Sequence, residues 1–212
     1  MTIGAVTDKI KTFKDLQTRC NLYKTNDINF FTEWVKDLPH LTEVEETEIA
    51  LIKEVYDYQR VDGFLLEGTI NLIIISPLLK LAGFFKPPYK ILSPYGIELE
   101  IDDPEETIRG FIDALVIQQQ LWILVLEAKR NGIPVAAALP QLIAYMLAQP
   151  QPYKTVFGLA TNGDEFIFVK LQLGENLKYD YSTTFSLLPS RHELGKVLQI
   201  MKRLGTEISS SD

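Results

Sequence analysis

Residues 108–130, 108-IRGFIDALVIQQQLWILVLEAKR-130, decide how this chain is read. Two apolar runs of strand length, IRGFIDALVI (108–117) and LWILVLEAK (121–129), flank the polar QQQ, the pattern of a β-hairpin with a short polar turn. The second run would pass for the centre of a core except that it ends in a carboxylate, a small residue and an amine. A turn centred on Gln120 places Asp113 directly opposite Glu127, and facing residues of antiparallel strands have Cβ atoms roughly 4.5–5.5 Å apart. Lys129 lies two residues beyond Glu127, hence on the same face. A register displaced by one residue would separate Asp113 from Glu127, so this convergence requires an odd-numbered turn.

Two carboxylates at that distance repel unless a cation lies between them or one is protonated. An all-oxygen pair suits Mg²⁺, or Mn²⁺ in its place, which takes one or two carboxylates and keeps several waters. Such an ion could activate a water and stabilise charge on a phosphoryl group, with Lys129 orienting the water or neutralising the developing charge. Phosphodiester hydrolysis uses all three groups. Thiolate or imidazole metal chemistry does not fit, because Cys20 is the single cysteine and His40 and His192 are distant in sequence.

Around the hairpin the order is helix, three strands, helix, two strands, helix, which predicts an α/β fold with a mixed sheet flanked by helices. NFFTEWVKD (29–37) is short and amphipathic, and Thr42 with Glu45 makes a capping box that opens a helix over 43–60. Glu45, Glu46 and Glu48 are expected on its solvated face. A second helical segment starts near Leu65 and meets Ser76-Pro77, read as a kink or as an N-cap and restart. KILSPYGIELEID (90–102) holds an alternating strand, and Asp102, Asp103, Glu105 and Glu106 read as a solvated turn. VAAALPQLIAYMLA (135–148) reads as a helix that Pro140 kinks or starts. Asn162-Gly163 between KTVFGLAT and DEFIFVKL is a strong hairpin signal. Ser190 and Glu193 form a second capping box before HELGKVLQIMKRLG, whose last turn is basic. We therefore expect an N-terminal helical extension over 1–62, a core domain over 63–206 and a frayed tail over 207–212.

IRGFID followed by LVLEAK resembles the D…ExK signature of the PD-(D/E)xK nuclease superfamily, with Asp113, Glu127 and Lys129 in the motif positions. QLIAY, with Gln141 and Tyr145, resembles the QxxxY motif of the subset containing the nuclease domain of type I restriction enzyme R subunits and RecB-like nucleases. Segments from about residue 27 to 208 are similar to a cyanobacterial family of short stand-alone proteins named after the R subunit N-terminal domain. The resemblance implies a restriction-endonuclease-like core, with Asp113, Glu127, the Ala128 carbonyl and Glu67 as metal ligands. It further implies that Lys129 is the catalytic lysine and that Gln141 and Glu67 support it. Nothing here matches the GxxxxGK[ST] loop of the motor that R subunits carry, so ATP-driven translocation is not expected.

The formal net charge of −7 opposes unaided binding to a polyanion. Tyr145, Arg109 and Arg130 are the candidate nucleic-acid contacts, although a surface ion pair of Arg109 with Glu105 or Glu106 competes with that role. Two readings follow: a Mg²⁺-dependent DNA endonuclease, or a non-catalytic binding or assembly module acting through a protein partner, which could be a second copy. With no secretory signal, one cysteine, and its best apolar segment (TINLIIISPLL) short and broken by Pro77, the chain is expected to be soluble and cytoplasmic.

Overall fold

The computed structural model describes residues 2–100, 106–118, 121–150, 155–174, 177–188 and 192–209. In chain order these form β1 (Thr2–Ala5), α1 (Val6–Lys9), α2 (Phe13–Cys20), β2 (Tyr23–Lys24), α3 (Glu43–Arg60), α4 (Glu67–Ile70), a π-helical turn (Asn71–Ile75) and α5 (Ser76–Leu81). There follow β3 (Tyr89–Leu92), β4 (Tyr95–Glu100), β5 (Glu106–Ile112), β6 (Ala114–Gln118) and β7 (Leu121–Ala128). A 3-10 turn (Val135–Ala138) leads into α6 (Leu139–Leu147), and β8 (Thr155–Thr161), β9 (Glu165–Gln172), β10 (Lys178–Tyr181), β11 (Phe185–Ser186) and α7 (Leu194–Ser209) complete the described chain.

The main sheet has eight strands in the order β2-β10-β9-β8-β7-β6-β3, with β11 also paired to β9. It is mixed: β7 runs parallel to β8, and β2 parallel to β10, while the other pairs are antiparallel. The parallel pair β7 and β8 is joined by a crossover through α6, as parallel neighbours require. A second sheet of three strands, β1-β5-β4, stands beside the first.

IRGFIDALVI is not one strand. It breaks at Asp113, with β5 in the small sheet and β6 in the large one. The reason lies in two different burial patterns. Ile112 is buried while Arg109 and Phe111 are exposed, a one-sided alternation, whereas Ala114, Leu115 and Val116 are all buried, as in a strand covered on both faces. Asp113 occupies the corner between the two.

The β6–β7 hairpin reaches the expected register by another route. Ala114 faces Leu126, and Val116 faces Leu124; the pairing then shifts, so that Ile117 faces Trp122 and Gln118 faces Leu121. Ile123 is thus the extra residue of a β-bulge, which offsets an even-numbered turn. The turn residues Gln119 and Gln120 lie outside the described residues.

β7 is buried on both faces. Leu124, Leu126 and Ala128 join a core formed with α3, α4, α5 and α7; Val125 joins the opposite core formed with α1, α2 and α6. Period-2 alternation therefore sends Glu127 and Lys129 toward the α6 layer. Close packing of α6 on β8 depends on Gly158, where a Cβ would lie 2.7 Å from Met146 Sδ.

The helix over 43–60 begins as expected, with the Thr42 side chain accepting from Glu45 N–H and the Glu45 carboxylate accepting from Thr42 N–H. Such a cap stabilises a helix by about 1 kcal/mol. Glu45, expected to face solvent, turns inward and pairs with Lys202 of α7 at 2.5 Å. α7 runs on to Ser209, so Lys202 lies within the helix and not in its last turn. Glu193 accepts from Ser186 N–H at 2.9 Å, while its expected partner Ser190 lies outside the described residues, as do Asp102, Asp103, Glu105 and the last three residues.

The first 62 residues are not purely helical. β1 pairs with β5 and β2 with β10, and Val6, Ile10, Leu16 and Leu22 are fully buried or nearly so. Residues 29–37 form turns, anchored by the buried Phe30 and Phe31 and by Glu33, which pairs with Lys170. Ser76 is helical and does not cap: its N–H donates to Asn71 O across a π turn, which carries the helix into Pro77 without a break. Pro140 sits in the first turn of α6 and starts it. Among the described residues no helix is long and apolar enough to cross a membrane.

Candidate functional site

The corner at Asp113, the end of β7 and the first turn of α6 open onto one cleft of about 540 Å³. Its walls include Glu67, Arg109, Phe111, Asp113, Glu127, Lys129, Gln141 and Tyr145, with Ala5 and Val6 closing the N-terminal side. Five of the six side chains singled out from the D…ExK and QxxxY patterns and from the helix before the sheet bond to one another or to the strand end; Glu67 joins them in the wall without a described hydrogen bond to them.

Asp113 is half-buried, and its Oδ2 accepts a hydrogen bond from Ala128 N–H at 2.6 Å. Ala128 thus enters the site through its N–H. Glu127 is 3% exposed. Its Oε1 accepts from Lys129 Nζ at 2.6 Å, and Lys129 Nζ also donates to Gln141 Oε1 at 3.0 Å. Gln141 Nε2 in turn donates to Tyr145 Oη at 2.5 Å, as the helical i, i+4 spacing allows. The chain Glu127, Lys129, Gln141, Tyr145 is a continuous line of hydrogen bonds.

Electrostatically the site is short of positive charge. Burial pushes the Glu127 carboxyl up to about 8; Lys129 opposes the shift, and the neighbouring Asp113 and Glu67 charges add to it. Asp113 is also raised, chiefly by burial and further by Glu67, against the hydrogen bond from Ala128. Burial and the Glu127 charge push the Tyr145 hydroxyl up to about 12. Glu127 Oε2 is buried and has no hydrogen-bond partner among the described residues. An orphaned carboxylate oxygen among mutually repelling acids is the environment a hard divalent cation would relieve.

Glu67 is exposed and acts on both acids through its charge while forming part of the cleft wall. Among the described residues no three His, Cys, Asp or Glu side chains converge to hold a metal. An ion here would rest on Asp113 and Glu127, with water, main-chain oxygen or substrate filling its other positions. Neither histidine lines the cleft. Arg109 lines it but pairs with Glu98, its cross-strand neighbour on β4, at 2.7 Å; Glu105 and the Glu106 side chain, its expected partners, lie outside the described residues. Arg130 is exposed and does not line the cleft.

Two residues that carried no motif signal build the site. Asn131, 1% exposed, accepts from Leu65 N–H at 3.0 Å through Oδ1, and its own N–H donates to Leu65 O at 3.1 Å. Its Nδ2 donates to Asn162 O and to Asp164 Oδ1, and Asp164 also receives Tyr56 Oη and Arg60. This network ties the chain just beyond Lys129 to the segment that leads into Glu67. Gly110 is the second: a Cβ there would lie 2.6 Å from Tyr145 Cε1, so only glycine lets the tyrosine reach Gln141 undisturbed. An asparagine directly after two charged residues at a strand end, and a glycine inside a strand pattern, were the available signals.

No protein-family model matches the chain, and no curated protein does. Among solved structures it is similar to a fragment described as a candidate HsdR subunit of a type I restriction enzyme from Vibrio vulnificus YJ016, at 21% identity and a TM-score of 0.43. The similarity covers 70% of this chain and 27% of that one, so this chain spans about a quarter of that neighbour's length.

Proposed function

We propose that the cleft is the active site of a Mg²⁺-dependent endonuclease of the PD-(D/E)xK type acting on DNA. The observation that carries this reading is the buried Glu127 carboxylate, with one oxygen on Lys129 and the other without a partner among the described residues, beside a second, half-buried acid. Asp113 and Glu127 would hold the ion, which when bound would polarise the phosphate and lower the pKa of a coordinated water.

The protein's own groups account for the rest. Lys129 has three N–H donors and uses two, on Glu127 and Gln141, so one remains for the attacking water or a phosphate oxygen. Gln141, fixed by Tyr145, keeps the ammonium from swinging away. Ala128 N–H fixes the Asp113 carboxylate against the end of β7. In the reaction the water oxygen bonds to phosphorus and gives up a proton to solvent, one P–O ester bond breaks, and the leaving alkoxide takes a proton from solvent. Placing these groups before the reaction removes the cost of organising them during it.

Calorimetric titration with Mg²⁺ or Mn²⁺ tests this reading. Binding that Asp113→Asn abolishes is expected; no heat and no thermal shift with either ion would remove the metal site. A second reading, a non-catalytic module that works through a protein partner, draws on α3, where Val44, Leu51 and Tyr58 are exposed at seven-residue intervals. Absence of metal binding together with self-association through that stripe would favour it.

A further inference from the structure

The same cleft carries an aromatic side chain that no step above uses. Phe111 lines it and is 69% exposed, so most of a large aromatic ring is open to whatever enters the cleft. It stands two residues before Asp113 on β5, roughly 7 Å along the strand. Its cross-strand neighbour is Gly96, where an added Cβ would only reach van der Waals contact, 3.5 Å from the ring. One edge of the ring thus rests on bare backbone and the rest faces the cleft. Phe64 is similarly exposed, but the Arg60 guanidinium lies over its ring and it does not line the cleft.

We infer, on the basis of the nuclease reading, that Phe111 is a stacking platform for a nucleobase and that the cleft takes single-stranded DNA in preference to intact duplex. Charge selects this occupant. Duplex binding draws on neutralised phosphates, whereas the cleft wall carries Glu67, Asp113 and Glu127. Among the described residues of the wall the cations Lys129 and Arg109 each already offset a carboxylate, Glu127 and Glu98, so little positive charge is left over to neutralise a run of phosphates. Stacking on an aromatic face does not depend on charge, and it needs a base whose face is free. A duplex hides those faces within its own stack; a single strand, a flap or an unpaired end offers them.

The test measures binding of a fluorescent oligonucleotide, alone or annealed to its complement, by anisotropy in the presence of a chelator, so that no cleavage occurs. Wild type is compared with Phe111→Ala and Phe111→Trp. The expected results are tighter binding of the single strand by wild type and a loss of about 5- to 150-fold for that strand in Phe111→Ala. Phe111→Trp should retain binding, with its added indole emission quenched by the bound base. Unchanged single-strand affinity in Phe111→Ala, or duplex bound more tightly than single strand by wild type, overturns the inference. If wild type cleaves DNA with metal while Phe111→Ala binds normally, only the stacking role falls; if wild type binds neither form, the DNA reading falls with it.

Discussion

Asp113 does not sit in the ladder opposite Glu127 but at the corner between two sheets, where its carboxylate accepts the Ala128 N–H at 2.6 Å. The contact joins the β5–β6 corner to the end of β7 and gives the two substitutions at this position different outcomes. Asp113→Asn keeps an acceptor for Ala128 and removes the charge, so the fold should survive while divalent-ion binding is lost. Asp113→Ala leaves a buried N–H unpaired and should also cost about 1–3 kcal/mol of stability. Calorimetry and thermal melts on both variants check this.

Glu127 sets a pH dependence whose sign follows from burial. In the unfolded chain its carboxyl ionises near 4.5, and in the metal-free folded protein at about 8. Between these values the unfolded chain releases the proton while the folded protein keeps it, so this group's contribution is full below about 4.5 and is lost as pH rises through about 8. Melting temperature should therefore fall by several degrees between about pH 5 and about pH 9 without metal, and Glu127→Gln should flatten that slope. Metal binding near neutral pH should release a proton, visible as a buffer-dependent binding enthalpy.

Asn131→Leu replaces the amide with an apolar side chain of similar size and leaves Leu65 N–H, Asn162 O and Asp164 each short of a partner. The loss should be about 2–5 kcal/mol, or roughly 5–15 °C in melting temperature for a chain of this size. Where the variant still folds, its effect on metal affinity should shrink in a Glu67→Gln background, because the clamp acts on the segment that presents Glu67.

Gly110→Ala drives a methyl group into the Tyr145 ring. Loss of about 1–3 kcal/mol is expected, and Tyr145→Ala in the same chain should recover part of it, a non-additivity that a double-mutant cycle measures.

How much of this was legible in the sequence depended on whether the signal was local. Thr42 with Glu45, Asn162-Gly163 and the apolar strand 121–128 are short-range patterns, and each forms the expected element. Gln141 and Tyr145 share a helix face and bond to one another, as their spacing implies. The break of IRGFIDALVI at Asp113 was not legible, because continuous β propensity does not reveal which of two sheets each half will join. Local pattern puts Val6, Ile10, Leu16 and Leu22 in a helical extension, yet their burial is set by β5, α6 and the sheet, far away in sequence. The turn parity at Gln120 was also beyond local reading, since the bulge at Ile123 compensates for it.

Lys129 is where geometry and proposed chemistry meet most directly, with its ammonium held by Glu127 and Gln141 and one donor left over. The decisive measurement is Mg²⁺- or Mn²⁺-dependent cleavage of single-stranded, flap, linear and supercoiled DNA by wild type and by Lys129→Ala, at low and moderate salt. Cleavage by wild type that drops by about 100-fold or more in the variant, with metal binding retained, is the predicted result. Equal metal-dependent cleavage by the two proteins, or none by a correctly folded wild type, would contradict it.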